Sequence, residues 1–132
     1  MSEVVLREEI RVDGLPEPVS HYVDAVRFGN LVFISGLVGV DGDGKLAGDD
    51  VVSQARQTLL SMKKVLDRIG ADFGDVLKVT VYLTDVTDRA KVNEVRKEFF
   101  GKAYPASTLI GVAALISPAL KIEIEAVVGL RS

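Results

Sequence analysis

A chain of 132 residues, 48% hydrophobic and 27% charged, can bury one core without disulfide or metal staples and has the composition of an ordinary globular domain. It has no cysteine and a single histidine, His21, which excludes disulfides, thiolate chemistry and the usual cysteine or histidine metal sites. A net charge of −3, with Lys and Arg interleaved among Asp and Glu, offers no footprint for nucleic acid.

Met1-Ser2-Glu3 carries no basic run ahead of an apolar stretch, so no signal peptide is expected. The apolar run Leu31 to Val40 is too short to span a bilayer and contains Ser35, Gly36 and Gly39. A cytoplasmic protein with no membrane partner is the expectation. Ile10 and Val12 end a short strand that stops at the turn signal Asp13-Gly14, and Leu15-Pro16-Glu17-Pro18 is a loop. Tyr22–Arg27 and Leu31–Val40 flank Phe28-Gly29-Asn30 as a hairpin, which Asp41-Gly42-Asp43-Gly44 closes.

Val51, Ala55, Leu59, Met62, Leu66 and Ile69 recur at three- and four-residue steps and predict a helix from about Asp50 to Ile69. Asp49 or Asp50 can cap its start, and Gly70 stands where a terminating glycine is expected. Val76 to Thr84 is a strand, with Leu77, Val79, Val81 and Leu83 on one face. A second helix from about Asp88 to Phe100 turns Val92, Val95 and Phe99 inward and stops at Gly101. Strands over Ser107–Leu115 and Lys121–Leu130 end the chain. The order β-β-β-α-β-α-β-β is an α+β layer with two helices on one sheet face. The strands Leu31–Val40 and Thr108–Ile116 are apolar on both sides, so the uncovered face must meet something else, and a second subunit is the natural candidate.

Two motifs fail as ligand loops. Gly39 to Lys45 has the spacing of a phosphate loop, but Leu46 stands where a hydroxyl must hold magnesium, and Asp41 and Asp43 would repel phosphate. The same stretch lacks the later glutamate of a calcium loop. In the last strand, Ile122, Ile124, Ala126 and Val128 share one face, leaving Lys121, Glu123 and Glu125 on the other. Acidic residues are poor strand formers. Either this is a solvated face with Lys121 near Glu123, or a carboxylate faces a cleft where desolvation tunes it for proton transfer. Asn93 and Arg96 lie three apart on the second helix, off its apolar face.

Taken in order, Tyr22 to Val26 with Gly29-Asn30-Leu31-Val32-Phe33-Ile34-Ser35-Gly36, Gln54, Gly70-Ala71, Asp75 to Asp85, Asn93 with Phe99-Phe100, Tyr104-Pro105-Ala106-Ser107-Thr108 and Ile122 to Ala126 form one pattern. From about Val19 to Val128 the chain resembles the RidA/YjgF family, the reactive intermediate deaminases. The resemblance implies a chorismate-mutase-like fold, a homotrimer with an inner barrel, and clefts between neighbouring subunits. It also implies hydrolysis of a small-molecule enamine or imine to a carbonyl compound and ammonia, with no metal or cofactor.

Carried over by position, Glu123 is the catalytic carboxylate, and Tyr22 and Gly36 line the cleft with Ser35 supporting the glycine turn. Asn93, Arg96, Ser107 and Leu109 are the remaining substrate-binding candidates. Two positions depart from the pattern. Where active deaminases of the family read Pro-Ala-Arg-Ser, this chain reads Pro105-Ala106-Ser107-Thr108, and the missing arginine is the one that grips the substrate carboxylate. A tyrosine common three residues after the family asparagine is Arg96 here. The chain therefore resembles an arginine-lacking subgroup, and its expected substrate is not the simple imine derived from 2-aminoacrylate. Arg96 approaches from a different element and is expected to matter little for that imine. The alternative is a non-catalytic small-molecule-binding trimer of the same fold. A ribonuclease fits poorly, for want of a histidine pair or a basic groove.

Overall fold

The computed structural model describes residues 6–131, so the Met1-Ser2-Glu3 end lies outside the described residues. The elements are β1 (Arg7–Ile10), β2 (Ala25–Phe28), β3 (Leu31–Val38), α1 (Val51–Ile69), β4 (Val76–Leu83), α2 (Arg89–Phe100), β5 (Ala106–Gly111) and β6 (Ile122–Gly129). The strands make one sheet in the order β1-β2-β3-β6-β4-β5, antiparallel throughout except for the parallel pair β4 and β5. That pair is joined by a crossover containing α2, as parallel neighbours require.

The long helix begins and ends as its sequence asks. The Asp50 carboxylate accepts from the Ser53 N–H, and Gly70 takes the left-handed conformation at φ 74°. Its apolar stripe is buried from Val51 to Leu66 against the sheet. On α2, Val92, Val95 and Phe100 are buried while Phe99 is half-buried. Phe73 meets both phenylalanine rings edge-on, at 5.6 and 5.0 Å between centroids.

Several boundaries differ from the periodic reading. Val12 lies past β1, and Tyr22 lies in the loop before β2. Buried Asp24 accounts for both: its carboxylate accepts from the Val12 N–H at 2.7 Å, so this stretch follows a side chain rather than a strand ladder. A register shift between Val76 and Lys78 puts Val76 in the core and leaves Leu77 51% exposed, against the alternation expected for β4. β5 ends at Gly111, so the apolar residues 112–116 follow the strand rather than extend it.

The helix-covered face carries Val32, Ile34, Val79, Val81, Ile122 and Ile124 in the core. The other face is apolar at one end and polar at the other. Phe28, Leu31, Phe33 and Ile110 are each at least 40% exposed there. Beside them lie Thr80, Tyr82, Glu123, Glu125 and Thr108, cross-strand neighbours on β4, β6 and β5.

Candidate functional site

Glu123 and Glu125 alternate with buried Ile122, Ile124 and Ala126, so period two puts both acids on the uncovered face. Opposite them, β3 has one residue too many: Ile34 pairs with Ala126 and Leu37 with Ile124, three steps against two. Ser35 and Gly36 form the resulting bulge. The Glu123 carboxylate lies over Gly36, where an added Cβ would come 2.1 Å from Oε2. Only glycine leaves that space open.

The bulge is tied down from the other side. Ser35 Oγ donates to the Val23 carbonyl at 2.6 Å, and the Ser35 N–H donates to the Asp24 carbonyl at 3.0 Å. These two bonds fix the loop that carries Tyr22. Tyr22, Ser35, Gly36 and Glu123 thus share one cleft of about 460 Å³, with Val38, Ile116 and Leu120 among its apolar walls.

Half-burial raises the Glu123 pKa above the ordinary carboxylate value, and the nearby Glu125 charge raises it further. No ion pair joins Lys121 to Glu123 among the described residues. Glu125 has a partner instead, accepting from the Tyr82 hydroxyl at 2.9 Å. The hydroxyl's pKa is raised, chiefly by that bond. The two acids are therefore inequivalent: Glu125 is engaged, while Glu123 opens into the cleft.

Asn93, Arg96 and Ser107 meet in a second cleft, also about 460 Å³, between α2 and the start of β5. Arg96 Nη2 donates to Ser107 Oγ at 3.1 Å, so the guanidinium does reach the strand position that the sequence left to serine. Leu109 shares the helix-facing side of β5 with Ser107 but packs half-buried against the core. The two clefts cannot serve one small molecule within one chain. Glu123 stands on the open face of β6 and Ser107 on the helix-facing side of β5, with β4 between them. Two strand spacings alone are about 10 Å.

Sequence reasoning gave Gln54 only as part of a pattern, yet it is buried and holds the entry to β6. Its Nε2 donates to the carbonyls of Gly48 and Ala119, and its Oε1 accepts from the Lys121 N–H, at 2.9, 2.9 and 2.8 Å. Gly39 packs directly on it, leaving no room for a side chain. A polar residue on the buried stripe of a helix was the available signal. Among the described residues no cluster of acidic or histidine side chains could hold a metal ion, and no helix is long and apolar enough to cross a membrane.

The family model described as Endoribonuclease L-PSP matches residues 14–129. A RutC family protein of Pyrococcus horikoshii is 40% identical over 92% of this chain and 97% of its own length. Human 2-iminobutanoate/2-iminopropanoate deaminase is 37% identical over 93% of this chain and 90% of its own. The crystal structure of the YjgF gene product of E. coli superposes with a TM-score of 0.87 at 34% identity, covering 94% of this chain and 99% of that one.

Proposed function

Because the chain belongs to the Endoribonuclease L-PSP family, that of the RidA/YjgF proteins, and has their chorismate-mutase-like α+β fold, we propose that it hydrolyses an enamine or imine to a carbonyl compound and ammonia. The observation that carries this reading is the Glu123 carboxylate, half-buried over bare Gly36 with its pKa raised. Raising a carboxyl's pKa brings it nearer to neutral pH, where one group can both take and give a proton. On a protonated imine, the Glu123 carboxylate takes a proton from the attacking water as oxygen bonds to the C=N carbon and the π pair moves to nitrogen, which gives a neutral carbinolamine. Glu123 then gives that proton to the amine nitrogen. As the C–N bond breaks and ammonia leaves, the carbinol oxygen closes to the carbonyl and its proton passes to the Glu123 carboxylate, which releases it to solvent. Tyr22 and the Gly36 backbone border the reacting group. Named deaminases among the relatives support this chemistry, and they act on 2-imino acids by name. The Ser107 position points this chain to a different preference within that chemistry.

The working unit in this reading is a homotrimer. A neighbouring copy packs on the open sheet face and brings its Asn93–Arg96–Ser107 cleft to the Glu123 cleft. Exposed Phe33, Leu31 and Ile110 on that face support this assembly, as does the placement of the two half-sites on opposite sides of the sheet. An acidic chain with one exposed histidine does not suit RNA cleavage, whatever the family description says.

Ammonia release from a panel of imines generated in solution tests the proposal, with Glu123→Gln as the control. Turnover that falls at least ~100-fold in the variant, the usual scale for acid–base groups, supports it. Ligand-induced thermal stabilisation with no ammonia release would instead make this a non-catalytic binding trimer. Light scattering is expected to give a trimer, and a stable folded monomer at micromolar concentration would sink the composite site.

A further inference from the structure

We infer that a small recess beside the Glu123 cleft is a subsite for a hydroxyl group of the substrate, with Asp24 and Ser61 as its partners. In its kinetic form the inference rests on the deaminase reading and deepens it by naming a substrate class, imines whose short side chain ends in an alcohol. The recess has a volume of about 50 Å³. It shares Tyr22, Ser35 and Gly36 with the cleft, so the two adjoin at the glycine under the carboxylate. A water molecule's share of the liquid is about 30 Å³, so a hydroxymethyl end fits here and a ring does not.

Leu15, Leu37 and Val40 make its wall largely apolar, and two polar side chains interrupt it. Both are deeply buried, Asp24 at 5% exposed and Ser61 at 3%. Buried polar groups use their hydrogen-bonding capacity, yet each of these has one capacity to spare. Asp24 Oδ2 accepts from the Val12 N–H at 2.7 Å and from Arg11 Nε at 3.3 Å, whereas nothing donates to Oδ1 among the described residues. No side-chain polar atom sealed from solvent lacks a partner among those residues, so Oδ1 borders open space, and the recess is the space that Asp24 lines. Ser61 Oγ accepts from Gln57 Nε2 at 3.2 Å. Thr58 on the same helix donates to the Gln54 carbonyl, but the Ser61 proton goes to no protein acceptor among the described residues.

The recess thus offers one acceptor and one donor. A hydroxyl matches both, donating to Asp24 Oδ1 and accepting from Ser61. An ammonium can only donate, and Arg11 already balances the Asp24 charge. A methyl group satisfies neither and would strand two buried polar groups by displacing water from them.

The test uses two imines made in solution by an amino-acid oxidase, 2-imino-4-hydroxybutanoate from homoserine and 2-iminopentanoate from norvaline. They differ only by a hydroxyl in place of a methyl, so the ratio of their rates reads the recess alone. The full-length wild type is expected to favour the hydroxy imine at least ~10-fold in kcat/KM. Ser61→Ala removes the donor, and Asp24→Asn keeps an oxygen for the Val12 N–H while turning an amide N–H toward the recess. Each should cut the preference by about 3- to 10-fold, the scale of one net hydrogen bond. Circular dichroism checks folding, and Ser61→Ala decides alone if Asp24→Asn does not fold. Equal rates on the two imines, a preference for the methyl, or a preference that a folded variant keeps in full overturns the subsite. If the wild type hydrolyses neither imine, the failure belongs to the deaminase reading, and calorimetric binding of 2-oxo-4-hydroxybutanoate against 2-oxopentanoate decides. Tighter binding of the hydroxy acid that Ser61→Ala loses supports the subsite; equal binding, no binding, or a difference that the variant keeps overturns it.

Discussion

The two clefts are alike in volume and opposite in construction. One places an acid on a central strand, over a bulge locked by the Val23 and Asp24 carbonyls, and its charge is set by burial and by Glu125. The other places a cation at the edge of the sheet, at the end of a long side chain that reaches from a helix to a strand hydroxyl. Strand-built geometry leaves little freedom, which is what proton transfer to a reacting atom needs. A helix-borne arginine can be exchanged or moved without disturbing the sheet. In the proposed function, chemistry belongs to the rigid cleft and substrate choice to the adaptable one.

The strongest way to break that division is at Glu123. Besides losing turnover, Glu123→Gln should be more stable than the wild type at neutral pH. A carboxyl whose folded pKa is raised holds its proton more tightly in the native state, so its contribution to stability falls as pH rises from the ordinary value of 4.5 through the folded value. Melting curves across pH should show the variant's advantage growing through that window and vanishing below it. An advantage that persists unchanged at low pH would mean the carboxylate is not the source.

Next in size is Gly36→Ala. The methyl group would land on the carboxylate without straining the backbone, so turnover should fall at least ~10-fold while the melting temperature changes little. Full activity in a folded Gly36→Ala protein would take Glu123 out of the reaction.

A third test sharpens the comparison by moving the cation. Ser107→Arg alone sets a second guanidinium against Arg96, so like charges oppose the gain it should otherwise bring on the 2-aminoacrylate-derived imine. The double change Arg96→Tyr with Ser107→Arg removes the conflict and should exceed the single variant severalfold on that imine. The smallest effect expected is Glu125→Gln. It removes one cause of the raised Glu123 pKa, so the limb of the pH–rate profile assigned to Glu123 should move to lower pH with less than ~10-fold change in maximal rate. An unmoved limb would assign it to another group.

Much of this was legible in the chain. The helix over Val51–Ile69 announces itself by its stripe, its Asp50 cap and its Gly70 stop, each a local device. The alternation of β6 put Glu123 on the correct face for the same reason. What period and propensity missed depends on contacts distant in sequence. The phase of Leu77 turns on a register shift against β6, and the short β2 on the Asp24 carboxylate reaching Val12. Gly36 could be named from a pattern, but its necessity lies in an acid 87 positions away. Asn93 and Arg96 were paired correctly by helical spacing, whereas the contact between Arg96 and Ser107 needs the parallel crossover to exist first.

The extra residue in β3 also acts as a phase switch for the strand. Ile34 and Leu37 both point into the core although three positions separate them, which an uninterrupted strand forbids. Length in this short stretch therefore sets its shape. Deleting either Ser35 or Gly36 would leave Ile34 and Leu37 two steps apart, as Ala126 and Ile124 are, so the strand would run regularly with both side chains still in the core. What would be lost is the bulge over which the Glu123 carboxylate lies. A single-codon deletion would thus test the cleft while leaving the inside and the outside of the sheet unchanged.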